Sequence, residues 1–109
     1  MKGEFLGELE EMVLLSVCLL GEDAYGVTIT DELNKQTGRN VHLSAVHTSL
    51  YRLEEKGLVC SSLGGATQAR GGRRKRLFTV TSLGKRSLQH VRQLRNQFYT
   101  RIPALLWET

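Results

Sequence analysis

Three stretches of helical apolar spacing, each closed by a glycine, precede two strand-like segments and one long helical pattern. That order restricts the fold more than any other feature of the 109-residue chain. Phe5, Leu6, Leu9, Met12, Val13 and Val17 recur at the 3.6-residue period, and Leu14, Leu15, Leu19 and Leu20 widen the apolar face. The pattern predicts a helix over residues 5–20, buried on more than one side and stopped at Gly21. Glutamates early in it suit the positive end of the helix dipole. A second helix is predicted over residues 25–37, with Val27, Ile29 and Leu33 facing inward and Gly38-Arg39-Asn40 as a turn. Residues 40–43 read as a short extended piece. Ser44 is the expected N-cap of a third helix running to about Lys56, with Gly57 as its left-handed C-terminal residue.

Residues 58–63 have strand character, and residues 76–81 are β-branched and aromatic enough to return antiparallel to them. Between them, residues 64–72 hold four glycines, so the two strands form a hairpin with a long loop. Thr81 or Ser82 caps a last helix to about Arg101, and Pro103 breaks it before the apolar end Ala104-Leu105-Leu106-Trp107. Helix, helix, helix, hairpin, helix is an α+β, mainly helical layout of the winged helix-turn-helix type. A single domain of ordinary globular composition is expected, with 40% hydrophobic and 24% charged residues.

Charge is unevenly placed. Residues 1–55 carry four basic against ten acidic side chains, a net −6; residues 56–109 carry eleven basic against Glu108, a net +10. Such asymmetry fits a polyanion-binding surface in the second half. Charge alone leaves a solvated basic face as an equal reading. The two cysteines, Cys18 and Cys60, lack CxxC spacing and a histidine cluster, so neither a zinc site nor a disulfide scaffold is expected. Their apolar neighbours predict buried thiols. Acidic residues through the first dozen positions argue against a secretory leader, and the apolar run Met12–Leu20 is too short to span a bilayer. A cytoplasmic protein without membrane contact is expected.

The second and third helices form the candidate helix-turn-helix, whose second member would enter the major groove. At ~100° per residue, Val46, Leu50 and Leu53 fall on one stripe and must face the core. Ser44, Thr48, Tyr51 and Glu55 then lie opposite, flanked by His47 and Arg52. Ser44, His47, Thr48, Tyr51 and Arg52 are the candidate base and phosphate contacts, since they offer donors and acceptors with no acid in the first two turns. From this helix alone an ordinary polar face fits as well. The hairpin decides between the two. Arg70, Arg73, Arg74, Lys75 and Arg76 place five cations in seven residues with no carboxylate near. That is more than solubility needs and suits phosphates or a narrow minor groove.

These segments resemble the PadR family of bacterial transcriptional regulators, in its short form with one C-terminal helix. The resemblance rests on Ala24-Tyr25-Gly26-Val27-Thr28-Ile29, on Ser49-Leu50-Tyr51-Arg52-Leu53-Glu54-Glu55-Lys56-Gly57-Leu58-Val59, and on Phe78-Thr79-Val80-Thr81-Ser82-Leu83-Gly84-Lys85. It covers about residues 5–100. The family usually has tyrosine at the position of His47 and often a Tyr-Tyr pair at Leu77-Phe78. His47 is therefore expected to alter base preference, whereas Leu77-Phe78 keeps the packing and loses two hydroxyls.

The resemblance implies a homodimer that binds double-stranded DNA at a pseudo-palindromic operator, most often as a repressor. It divides the chain into a DNA-binding unit, residues 1–81, and a dimerisation helix with its tail, residues 82–109. Leu88, Val91, Leu94, Phe98 and Ile102 form an apolar stripe longer than a small domain needs, which supports dimerisation independently. The basic last helix and acidic first helix suggest attraction across the dimer. Some relatives bind flat aromatic or hydrophobic effectors, and Phe98, Tyr99 and Trp107 are the candidate pocket here; packing residues are the stronger reading. No cofactor and no enzymatic activity are expected. His42, His47 and His90 lie in separate segments, and the glycine-rich loop lacks the lysine-serine ending of a nucleotide cradle. The alternative to DNA binding is a winged-helix protein-interaction module.

Overall fold

The computed structural model describes residues 6–64 and 75–108. Helix α1 spans Glu8–Leu20, α2 Gly26–Thr37 and α3 Leu43–Glu55; strands β1, Val59–Leu63, and β2, Arg76–Val80, form an antiparallel hairpin; α4 runs over Ser82–Arg101. Single 3₁₀ turns follow α1, at Gly21–Asp23, and α4, at Ala104–Trp107. Phe5, expected in the first helix, lies outside the described residues.

The glycine stops hold. Gly38 closes α2 in the left-handed conformation, and its N–H bonds back to the Asn34 carbonyl at 2.8 Å. Gly57, at φ 78°, lets the Leu58 N–H reach the Leu53 carbonyl at 2.9 Å, so only a tight turn separates α3 from β1. α3 begins two residues earlier than its sequence suggested. His42, extended at ψ 151°, is the N-cap and Ser44 lies inside the first turn. Residues 40–43 form no strand; they carry the chain directly from the α2 turn into α3.

The core is one cluster. Val13, Leu14 and Val17 of α1 meet Ile29 and Leu33 of α2, Val46, Leu50 and Leu53 of α3, and Phe78 of β2. Val27, expected inward, is 54% exposed; Thr30 takes the buried place, its hydroxyl donating to the Gly26 carbonyl at 2.8 Å. The hairpin register pairs Val59 with Val80 and Ser61 with Phe78. The segment before α2 adds a third edge to it. Tyr25 bridges to Leu77, and the Phe78 N–H donates to the Ala24 carbonyl at 2.8 Å.

Both cysteines are exposed, contrary to expectation. The buried face of α1 is centred on Val13 and Val17, which turns Cys18 outward with Leu15 and Leu19. Cys60 points away from the core because its strand neighbours Val59 and Ser61 point toward it.

Thr81 caps α4, its hydroxyl accepting from the Gly84 N–H at 3.0 Å and donating to the Gly57 carbonyl at 2.6 Å. α4 then returns antiparallel to α1. Arg95 pairs with Glu11 at 2.8 Å, while Lys85 lies within electrostatic reach of Cys18. The attraction between acidic α1 and basic α4, expected across a dimer, thus operates within one chain. Beyond Val91 every α4 residue is exposed up to Ile102. The radius of gyration, 16.3 Å, exceeds the ~13 Å of a compact chain this long, as an overhanging helix requires.

Candidate nucleic-acid interface

Burial of Val46, Leu50 and Leu53 on one side of α3 fixes what the other side shows. Ser44, Thr48, Tyr51, Arg52 and Glu55 are exposed, and the first turn carries no acid. Thr48 donates its hydroxyl proton to the Ser44 carbonyl at 3.0 Å, which leaves the oxygen lone pairs outward as acceptors. His47 is half-buried. Its ring lies against Gly26, where a Cβ would stand 2.9 Å from the imidazole, and 6.4 Å from the Tyr51 ring at 29°. Gly26 is therefore the residue that makes room for His47 between the two helices of the motif.

The turn between those helices is held by a residue that sequence reasoning missed. The Asn34 side-chain amide donates to the Val41 carbonyl at 3.1 Å and accepts from the Val41 N–H at 2.9 Å. One side chain thus satisfies both backbone groups of a residue seven positions away, just before α3 starts.

Of the five hairpin cations, Arg70, Arg73 and Arg74 lie outside the described residues. Lys75 and Arg76 are both engaged within the fold. The Lys75 ammonium donates to the Tyr25 hydroxyl at 3.1 Å and sits 4.2 Å from the centre of its ring. Arg76 donates to the Ser61 hydroxyl at 3.0 Å, and Ser61 donates in turn to the Glu54 carboxylate at 2.7 Å. Glu54 lies in the last turn of α3, so this relay connects the exposed helix to both strands.

On α4, Leu88, Val91 and Ile102 are half-buried, whereas Leu94 and Phe98 are exposed, Phe98 by 70%. A groove of about 470 Å³ runs between α1 and α4, with Leu15, Leu88 and Tyr99 among its lining and the Glu11–Arg95 pair within it. Tyr99 stacks on Trp107, ring centres 6.4 Å apart. Phe98, ~100° around the helix from Tyr99, does not line that groove. Of the three candidate pocket aromatics, Tyr99 alone lines that groove.

Among the described residues no cluster of His, Cys, Asp or Glu is arranged to hold a metal. No described helix is long and apolar enough to cross a membrane.

Three helices, a two-stranded wing and a trailing helix define a winged helix-turn-helix protein. The transcriptional regulator PadR-like family model matches residues 14–90. The chain belongs to that family of transcriptional regulators. A PadR-like regulator from Bacillus cereus superposes with a TM-score of 0.72 over 93% of each chain at 23% identity. A PadR family regulator from Eggerthella lenta gives 0.69 at 24% identity, over 94% of this chain and 88% of its own. Bacillus subtilis PadR, solved in complex with operator DNA, gives 0.61 at 21% identity, over 76% of this chain and 45% of its own. No curated protein matches by sequence.

Proposed function

We propose that the protein is a sequence-specific DNA-binding repressor that acts as a homodimer on a pseudo-palindromic operator. One observation carries the reading. The outward face of α3 presents Ser44, Thr48, Tyr51 and Arg52 with no acid in its first turn, beside the stem of a hairpin whose connecting segment holds Arg70, Arg73 and Arg74. Hydroxyls and a guanidinium at the start of an exposed helix suit base edges and phosphates. Cations in a hairpin loop suit the flanking backbone. The Bacillus subtilis relative solved with operator DNA supports the same reading.

In this reading residues 1–81 bind DNA and residues 82–109 hold the dimer together. The overhang of α4 supports that division. Leu94, Phe98, Tyr99, Leu105, Leu106 and Trp107 are large apolar side chains left exposed by a single chain, and a second copy covers them. Two recognition helices related by a two-fold axis read half-sites about one helical turn apart. Such a protein works where chromosomal DNA is, in the cytoplasm. A hydrophobic effector would bind beside Tyr99 and Trp107, whose rings already stack, with Phe98 brought in from the partner copy.

The test is a titration against the DNA upstream of its own coding region and against a scrambled duplex, at several salt concentrations. Preferential binding to the upstream DNA is expected, with log K falling against log salt by about 0.9 per neutralised phosphate. Absence of binding to either duplex at low salt would instead favour a protein-interaction module.

A further inference from the structure

We propose that Arg76, the cation nearest the hairpin stem, is a positioning residue that locks the wing to the recognition helix through Ser61 and Glu54, and is not a phosphate ligand. The proposal rests on the DNA-binding reading and assigns a role within it.

Strand geometry sets the direction of the side chain. Residues of β2 alternate between faces, and Phe78 is buried, so Arg76 shares the face turned toward the helices. Opposite it on β1 the same face carries Ser61 and Leu63. The guanidinium therefore reaches across the hairpin toward α3. Its Nη1 donates to the Ser61 hydroxyl at 3.0 Å, and the single Ser61 proton goes to Glu54 Oε2 at 2.7 Å. Donor and acceptor directions agree along the chain, and both ends are ionised, which makes these the stronger class of hydrogen bond.

The relay spans the joint about which the wing would swing. Only residues 56–58 separate α3 from β1, and Gly57 in the left-handed region is the centre of that turn. Val59 and Phe78 anchor the base of the hairpin in the core, whereas Leu63 at its outer end is exposed. A bridge from Glu54 on the helix to Arg76 on the far strand restrains that outer end. Lys75 braces the opposite edge through Tyr25, which also bridges to Leu77. The relay uses one of the five guanidinium N–H donors, and a phosphate approaching the others would meet the Glu54 carboxylate, one hydroxyl away through Ser61. Glu54, an acid at the far end of an otherwise acid-poor face, thus acquires a role.

The two roles predict opposite signs. The probe is a duplex that the wild-type protein selects from a randomised pool, with affinity and salt slope measured for each variant. Ser61→Ala changes no charge; under the positioning role it weakens binding ~10-fold, the scale expected for losing a charge-assisted hydrogen bond. Ser61→Thr, which keeps the hydroxyl, restores affinity. Glu54→Ala also weakens binding although it removes negative charge, and Ser61→Ala adds nothing in an Arg76→Ala background. Wild-type affinity in Ser61→Ala together with tighter, more salt-sensitive binding in Glu54→Ala would overturn the proposal while leaving DNA binding intact. If Ser61→Ala does not fold, the sign of the Glu54→Ala effect decides alone. A wild-type protein that selects no duplex and binds none at low salt overturns both readings.

Discussion

Glu11 of α1 and Arg95 of α4, 84 positions apart, meet at 2.8 Å with the carboxylate only 10% exposed and the guanidinium largely in solvent. This pair sets where α4 crosses the body before running free. Removing the cation leaves a nearly buried carboxylate without its partner, whereas removing both leaves none. Arg95→Ala should cost about 1 kcal/mol, a value held down by solvent screening of the exposed guanidinium. Glu11→Gln in the same background should recover part of it. Urea denaturation at neutral pH checks both, and equal midpoints for wild type and Arg95→Ala would refute a contribution from the pair.

Gly84, in the first turn of α4, is buried against the β1 entry. A Cβ there would stand 2.2 Å from the Leu58 carbonyl oxygen and 2.8 Å from Val80 Cγ2. The nearer atom is backbone, so the obstruction cannot be relieved by a rotamer change. Gly84→Ala should destabilise the fold by about 2 kcal/mol, the overpacking penalty exceeding the helix propensity gained. Calorimetry would show it as a lower melting temperature.

Element order, the glycine stops and the outward face of α3 were legible in the sequence because each depends on local spacing. Val46, Leu50 and Leu53 had to share one side of a helix, and that side is buried. Rotation of an element against its neighbours was less legible. Apolar residues on both sides of Cys18 do not say which way α1 turns, and the packing of Val13 and Val17 leaves Cys18 outside. Polar contacts between elements were not legible at all. Nothing near Asn34 announces that its amide will meet Val41, because the turn at Gly38 must first bring them together. The Glu54–Ser61–Arg76 relay likewise needs the hairpin register before it exists. Five clustered cations read as one electrostatic feature, yet the fold gives two of them partners of their own.

Arg39, in the turn after α2, donates two hydrogen bonds to Glu8 at the start of α1. Those bonds hold the Glu8 carboxyl below the usual carboxylate range; the loss of hydration opposes them, and the charges of Arg39 and, less, Arg95 add to the lowering. A group whose folded pKa is depressed stabilises the fold above its unfolded pKa, and the contribution is lost as pH falls through the folded value. The stability difference between wild type and Arg39→Ala should therefore be present at pH 7 and close below about pH 4. Both side chains are exposed, so the difference should be small and shrink further with added salt. Urea midpoints compared across pH would expose the opposite trend, a gap that widens in acid, if the pair does not act this way.

Phe98 separates two accounts of the α4 overhang. It is 70% exposed in the single chain and, like Leu94, does not line the groove between α1 and α4. If a second copy covers these two residues, Phe98→Glu puts a charge into each half of a two-fold interface, where it meets an apolar surface. Sedimentation should then find wild-type dimer and mutant monomer, with thermal stability falling in the mutant because the dimer's contribution is gone. DNA affinity should fall with it, since one recognition helix contacts one half-site only. Deleting residues 88–109 should give the same two losses. A Phe98→Glu protein that sediments as a dimer and binds DNA like the wild type would place the dimer interface elsewhere on the molecule.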